Sequence, residues 1–213
     1  MLSATPIVFV VDDDPSVREA LESLIVQAGW RAQVFESAQG FLSFPRASVP
    51  SCLVLDVTMP GLNGLELQSL IAGDRIDMPI IFITGHADVP MTVKAMKAGA
   101  VEFLTKPVAE DVLITAIGSA IARSRITLDQ ESGRQTLRSL YAKLTPRERD
   151  VMTLVVRGLL NKQVGGELGM AEITVKAHRG QIMRKMKAAT FADLVNMGAR
   201  LGLTPAPNAS HNK

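Results

Sequence analysis

Four short apolar runs in the first half of the chain each end in polar side chains. The runs begin at residues 8, 53, 80 and 101. Continuous apolar runs of this kind indicate strands that helices cover on both faces, as in a parallel sheet. The polar residues that follow them are Asp12, Asp13, Asp56, Thr84 and Lys106. Because ligands of such sheets bind beyond the carboxyl ends of the strands, these groups are predicted to meet at one edge.

Strand and helix patterns alternate through this half. The first predicted helix has Asp14 as its N-cap with Pro15 at its first position, and the third opens with a capping box over Asn63–Glu66. Five such units predict an α/β doubly wound (βα)5 domain with strand order 2-1-3-4-5. The predicted strands cover residues 7–11, 31–35, 52–56, 80–84 and 101–104.

The second half shows helical patterns alone. A capping box at Thr145–Glu148 begins an all-α, four-helix domain. A largely helical linker precedes it, and Gly133 is expected to interrupt that helix. The predicted helices cover residues 146–157, 161–168, 172–187 and 191–200. The predicted organisation is a domain over 1–122, a linker over 123–144, a second domain over 145–203 and a disordered tail over 204–213.

Length and charge also favour two domains. The chain has 213 residues, more than most single domains. Residues 1–128 carry 9 Lys/Arg and 14 Asp/Glu, net −5, whereas residues 129–213 carry 14 and 7, net +7. This asymmetry predicts that the second half alone meets a polyanion.

The single cysteine and the shortness of the apolar runs indicate in which cellular compartment the protein is expected. Cys52 excludes an internal disulfide and, just before a strand, is interpreted as a small buried hydrophobe. No apolar run approaches the roughly 20 residues that span a bilayer, and the N-terminus lacks a signal-peptide pattern. We expect a soluble, cytoplasmic protein without membrane contact.

The clustered carboxylates predict a cation site that accepts a phosphoryl group. Each acid alone could simply cap a turn, but their joint placement argues otherwise. Strands 1 and 3 are neighbours at the switch point, so Asp12, Asp13 and Asp56 should crowd together, and three carboxylates need a cation to stay ionised. Mg²⁺ suits carboxylates, water and phosphate oxygens. An aspartate such as Asp56 can then attack phosphorus, with Lys106 neutralising charge.

The basic second half predicts a helix-turn-helix. In residues 172–187, Val175, Ile182 and Met186 share one helical face, while the opposite face is basic. A short helix and a glycine turn precede this helix, which is typical of a recognition helix that enters the DNA major groove. A merely solvated charged face is the alternative.

The residues at the strand ends resemble the receiver domain of two-component response regulators over about residues 5–125. The resemblance implies Asp56 as the phosphoacceptor and a sensor histidine kinase as the donor. It implies a metal site for Mg²⁺, with Mn²⁺ as a substitute, built from Asp12, Asp13, Asp56 and the Thr58 main-chain carbonyl. It also implies Thr84, Phe103 and Lys106 as phosphate or switch residues and a cis Lys106–Pro107 peptide.

The stretch 144–187 resembles the LuxR-type helix-turn-helix. The runs that carry the resemblance are Leu144–Glu148, Gly158–Lys162 and Thr174–Arg179. The whole chain is similar to NarL/FixJ-family regulators, most of all to the FixJ-like branch. That family implies double-stranded promoter DNA as a partner, contacted through Asn161, Lys162, Thr174, Lys176, Ala177, Arg179, Gly180, Arg184 and Lys185.

The same resemblance implies regulation by assembly. Phosphorylation is expected to produce a homodimer, with Val93 and Lys97 as contacts, and to activate transcription, with RNA polymerase as a further partner. The sequence departs from the family pattern at two positions. Ala171 occupies a cap position that often holds Ser or Thr, and Gly180 lies inside the recognition helix, each costing about 1 kcal/mol.

Two rival functions remain open at this stage. A phosphohydrolase could use Asp56 as its nucleophile, although that chemistry usually needs a second acid where Thr58 stands. The basic domain could instead bind RNA or protein, but it lacks the aromatic residues that stack single strands. A nucleotide-driven activator is disfavoured because no P-loop motif occurs. We therefore expect a regulator rather than an enzyme.

Overall fold

The computed structural model describes residues 5–45, 48–73, 78–86 and 88–204. The chain divides into two compact units, a first unit of residues 1–129 and a second unit of residues 130–213. Most of the predicted tail, 205–213, lies outside the described residues. Within the described part of the chain, no helix is both long and apolar enough to cross a membrane.

The first unit contains a five-stranded parallel sheet in the predicted order β2-β1-β3-β4-β5. Four strands match the predicted ranges to within one residue, and β5 lies one residue later than predicted. The strands are β1 (Ile7–Val11), β2 (Arg31–Phe35), β3 (Ser51–Asp56), β4 (Ile80–Thr84) and β5 (Glu102–Thr105).

Side-chain alternation along the strands supplies two apolar layers. Phe9 and Val11 of β1 point into the layer that contains Leu55 and Phe82, whereas Val8 and Val10 join the opposite layer with Ile117. Burial on both faces explains why these strands appear as unbroken apolar runs in the sequence. The Cys52 thiol is fully buried, and burial raises its pKa, so it acts as an apolar core residue.

Predicted caps begin the helices of the first unit. The Asp14 carboxylate accepts a hydrogen bond from the Ser16 main-chain N–H at 2.8 Å, and Asn63 and Glu66 form the predicted capping box. The helices are α1 (Pro15–Gln27), α2 (Ala38–Leu42), α3 (Gly64–Ile71), α4 (Val89–Lys97) and α5 (Glu110–Ala142).

Helix α5 corrects one prediction, because it continues through Gly133 without a break. A glycine inside a helix costs only about 1 kcal/mol relative to alanine, which a 33-residue helix can absorb. Helix α5 also packs on the sheet beyond residue 122. The fully buried Ser124 hydroxyl accepts a hydrogen bond from the Ser51 main-chain N–H at 3.0 Å.

The described part of the second unit, up to residue 204, has four helices after α5, at the predicted positions to within one residue. The core includes Met152, Val175, Ile182 and Leu194. Between α7 and α8, Gly169 adopts a left-handed conformation with φ 65°, which ends α7 and makes the turn. The helices are α6 (Pro146–Val156), α7 (Asn161–Leu168), α8 (Glu172–Met186) and α9 (Phe191–Arg200).

A buried carboxylate joins α6 to α8. Glu148 is 4% exposed, and its oxygens accept hydrogen bonds from Lys185 Nζ at 2.6 and 2.8 Å and from the Thr145 main-chain N–H at 2.7 Å. Burial acts to raise the pKa of Glu148, but these hydrogen bonds hold it below its ordinary value. The capping glutamate therefore also anchors the recognition-type helix α8.

We expect the Glu148–Lys185 pair to make the stability of the second unit depend on pH. Because the folded-state pKa of Glu148 lies below its ordinary 4.5, the contribution is complete above pH 4.5 and is lost as the pH falls through the folded-state pKa. Glu148→Gln should lower the free energy of unfolding by about 2 kcal/mol at pH 7 and remove this pH dependence. Urea unfolding followed by Tyr141 emission measures it, with Trp30 emission as the control in the first unit.

The uncapped start of α8 gives a second stability prediction. Ala171 has the extended conformation of an N-cap but no side-chain hydrogen bond. Ala171→Ser should therefore raise the free energy of unfolding of the second unit by about 1 kcal/mol. Ala199→Ser, at an exposed position inside α9, is the matched control and should not stabilise. Equal effects of the two substitutions would contradict the capping explanation.

Candidate functional site

The carboxyl edge of the sheet brings the predicted acids together. Strands β1 and β3 pair directly, so Asp12, Asp13 and Asp56 meet across the switch point. One carboxylate oxygen from each lies within 4.8 Å of the other two. Asp12 and Asp56 are buried and Asp13 is exposed, so the cluster has an inner part and an open side.

Lys106 lies between the two buried acids. Its Nζ donates to Asp12 Oδ2 at 2.7 Å and to Asp56 Oδ2 at 2.8 Å. Burial acts to lower the pKa of the Lys106 ammonium, but the hydrogen bonds to these two carboxylates outweigh it and raise the pKa. Burial raises the pKa of Asp12, although the Lys106 and Asp14 hydrogen bonds act in the opposite direction.

Main-chain groups orient the two buried carboxylates. The Asp14 N–H donates to Asp12 Oδ1 and the Thr58 N–H donates to Asp56 Oδ1, both at 3.0 Å. Each acid therefore has one oxygen held by the backbone and the other facing Lys106. These two contacts orient the Asp56 carboxylate, with Oδ1 toward the backbone and Oδ2 toward the Lys106 ammonium.

The donor set fits a hard divalent cation. Three carboxylates supply oxygen ligands close together, and one of them is open to solvent, where water ligands can complete the coordination. A cation here would compensate the burial that raises the pKa of Asp12. The site could bind a metal ion through Asp12, Asp13 and Asp56. The role of the Thr58 carbonyl stays a prediction.

Thr84 ends β4 at the same carboxyl edge, and Phe103 lies on β5, two residues before the end of that strand. The fully buried Thr84 hydroxyl donates to the His86 main-chain carbonyl at 3.1 Å and accepts from the His86 N–H at 3.3 Å. Phe103 pairs with Phe82 across the sheet, with ring centroids 5.9 Å apart, and is partly buried. The phosphate-binding or switch roles of Thr84 and Phe103 stay predictions.

The predicted cis peptide between Lys106 and Pro107 is present. The Lys106 N–H donates to the Thr84 carbonyl at 2.7 Å, which joins the ends of β4 and β5. This contact places Lys106 where its ammonium reaches the carboxylates of the neighbouring strands.

Sequence reasoning missed two positioning residues. Arg18 of α1 donates from Nη1 to the Asp12 main-chain carbonyl at 2.8 Å and holds the turn after β1. Gly64 begins α3 directly against the Asp56 main-chain oxygen, with which an added Cβ would collide. The Asn63-Gly64 dipeptide signals a turn in the sequence, but only the fold shows this close approach.

In the second unit, α8 presents an exposed basic surface. The buried residues Val175, Ile182 and Met186 face the core, as predicted. The predicted DNA-contact residues that are exposed are Lys162 on α7 and Thr174, Lys176, Ala177, Gly180 and Arg184 on α8.

Three other predicted DNA contacts already have protein partners. Arg179 Nη1 donates to Asn161 Oδ1 at 2.7 Å, and its guanidinium lies 4.8 Å from the centre of the Phe191 ring. Lys185 forms the ion pair with Glu148. These contacts tie α8 to α6, α7 and α9, so Arg179 and Lys185 have structural roles whether or not they reach DNA.

The predicted dimer contacts lie on α4. Val93 is 44% exposed and Lys97 is exposed, so both side chains are accessible in this unit. Their role in assembly stays a prediction.

Comparison with known proteins agrees with this geometry. Residues 8–118 match the model of the response regulator receiver domain, and residues 142–198 match that of the bacterial regulatory proteins of the luxR family. The chain is 49% identical to nodulation protein W of Bradyrhizobium diazoefficiens over 202 residues, covering 95% of this chain and 89% of that protein.

Two further relatives extend the comparison. The transcriptional regulatory protein FixJ of the same organism is 38% identical over 196 residues, covering 92% of this chain and 96% of that protein. A low-resolution structure of the response regulator StyR is 46% identical, with a TM-score of 0.83, and covers 92% of this chain and all of that one. The chain therefore belongs to the NarL/FixJ family of response regulators, which join a receiver domain to a LuxR-type DNA-binding domain.

Proposed function

We propose that this chain is a transcription regulator that a sensor histidine kinase switches by phosphorylating Asp56. The position of Lys106 supports this proposal most directly. Its ammonium lies 2.8 Å from Asp56 and 2.7 Å from Asp12. A phosphoryl group on Asp56 would bring oxygens to this cation, which has the charge needed to stabilise them. The transcriptional regulators among its relatives support this role over that of a phosphohydrolase.

The chemistry is transfer of one phosphoryl group. An Asp56 carboxylate oxygen attacks the phosphorus of the kinase phosphohistidine, the P–O bond forms as the P–N bond breaks, and the imidazole leaves. Asp12, Asp13, Asp56 and the Thr58 carbonyl would hold Mg²⁺, which neutralises charge on the transferring group when bound.

The switch follows from the competition for two donors. Lys106 must share its ammonium with the new phosphoryl oxygens, and the Thr84 hydroxyl must leave the His86 carbonyl to reach them. Inward movement of Thr84 leaves room for Phe103 to follow. The altered surface of α4 and β5 then forms a homodimer through Val93 and Lys97.

Dimerisation brings two copies of the second unit to a promoter with two half-sites in the cytoplasm. Helix α8 enters the major groove, with Lys176, Ala177 and Gly180 toward the bases. Lys162, Thr174 and Arg184 contact phosphates, and Arg179, Asn161 and Lys185 add contacts from the flank. Recruitment of RNA polymerase would make the regulator an activator.

Asp56→Asn should abolish covalent labelling by acetyl phosphate in the presence of Mg²⁺, because an amide cannot form the acyl phosphate. Phosphate-affinity electrophoresis measures the labelled fraction. Asp14→Asn is the matched control, since asparagine caps a helix as well as aspartate, and it should keep labelling. Labelling that persists in the Asp56 variant would refute the assignment. Repeated turnover of small phosphate esters would support a phosphohydrolase.

Two lysine substitutions should separate base contacts from phosphate contacts. Lys162→Ala should weaken binding to every duplex about equally and reduce the slope of log affinity against log salt by about 1. Lys176→Ala should weaken binding too, but it should in addition reduce the preference for the favoured base at one base pair by about 1–3 kcal/mol. Fluorescence anisotropy with operator variants measures both effects. Lys143→Ala, at an exposed position outside α7 and α8, is the control. An equal loss of DNA affinity in this variant would contradict the proposed contacts of Lys162 and Lys176.

A further inference from the structure

Helix α8 exposes an apolar residue that neither its core packing nor the predicted DNA contacts use. Ile173, the second residue of the helix, is 73% exposed. It is the most exposed large apolar side chain in the described second unit, above Leu160 at 69% and Phe191 at 40%. Isoleucine is a poorer helix former than alanine, so neither burial nor helix propensity favours it here.

The position of Ile173 around the helix places it with the DNA-facing residues. At about 100° per residue, Ile173 lies about 160° from the mean direction of the buried residues of α8. It falls within one arc of about 100° together with exposed residues three, four, seven and eleven positions later. Those residues are Lys176, Ala177, Gly180 and Arg184.

Its position along the helix matters equally. Recognition helices place their N-terminal residues against base edges, and Ile173 lies one turn before Ala177, about 6 Å along the axis. That distance corresponds to about two base pairs at 3.4 Å each. An aliphatic side chain in the major groove can match one group among the four bases, the C5-methyl of thymine. Lys176 beside it favours the O6 and N7 acceptors of guanine.

We propose that Ile173 is a specificity-determining residue that contacts the C5-methyl group of a thymine in each half-site, about two base pairs from the pair that Ala177 faces. This inference rests on the proposed function, in which α8 enters the major groove. Ile173 is not among the DNA-contact residues that the family resemblance implies.

In the test, the chain is first incubated with Mg²⁺ and beryllofluoride, and its preferred binding sites are then selected from a random duplex library. Each thymine of the selected half-site is then replaced by deoxyuridine, which removes the methyl group and keeps every hydrogen bond. Affinities are measured by fluorescence anisotropy for the wild type and for Ile173→Ala. Val26→Ala, which shortens a 58% exposed β-branched residue on α1, is the matched control.

For the wild type, deoxyuridine at one thymine of the half-site should weaken binding about fourfold, which corresponds to about 0.8 kcal/mol for one methyl group. Ile173→Ala should bind thymine and deoxyuridine duplexes equally at that position and keep its other base preferences. Val26→Ala should behave like the wild type. An unchanged urea midpoint from Tyr141 emission would show that Ile173→Ala remains folded.

The results can distinguish failure of the proposed DNA-binding function from failure of the proposed role of Ile173. If the wild type selects no sequence at all, the proposed DNA-binding function fails and the inference fails with it. If the wild type selects a sequence but the selected half-site lacks thymine, or if Ile173→Ala leaves every thymine-to-deoxyuridine ratio unchanged, the role of Ile173 is overturned while the proposed function stands. An equal loss of affinity for both duplexes would also overturn it, because a methyl contact must discriminate between them.

Discussion

A single ammonium shared by two buried carboxylates organises the carboxyl edge of the sheet. Asp12 is fully buried and Asp56 nearly so, and two carboxylate charges this close repel each other unless a cation lies with them. Lys106 supplies that charge, and main-chain N–H groups hold the remaining oxygens. The first step of the proposed switch changes the partners of this lysine, because a phosphoryl group on Asp56 would bring new oxygens to its ammonium.

The second unit applies a similar constraint to its recognition-type helix. Buried Glu148 binds Lys185, and Arg179 contacts Asn161 and Phe191. These contacts hold α8 against α6, α7 and α9 from its flanks. The outward stripe of α8 stays exposed, with Arg184 donating a hydrogen bond to the Gln181 side chain of the same helix, and a rigid scaffold presents that stripe for the proposed base recognition.

The layered architecture follows from patterns that are local in sequence. Unbroken apolar runs specify strands buried on both faces, and Asp14, Asn63 and Thr145 mark helix starts with side chains that satisfy free N–H groups. Gly133 shows where local reasoning fails. Glycine disfavours helix only weakly, and the rest of the long helix outweighs it. Patterns of one or two residues therefore predict helix starts better than interruptions.

The sequence by itself determined where the strands lie along the chain, which acids and which lysine follow them, and the helical nature of the second unit, because periodicity and strand-end chemistry depend on neighbouring residues. The tertiary structure alone decided which charges are paired. Arg179 and Lys185 belong to the basic set in sequence, yet packing gives them protein partners. The close approaches of Gly64 to Asp56 and of Arg18 to Asp12 likewise arise from contacts between elements that no local pattern encodes.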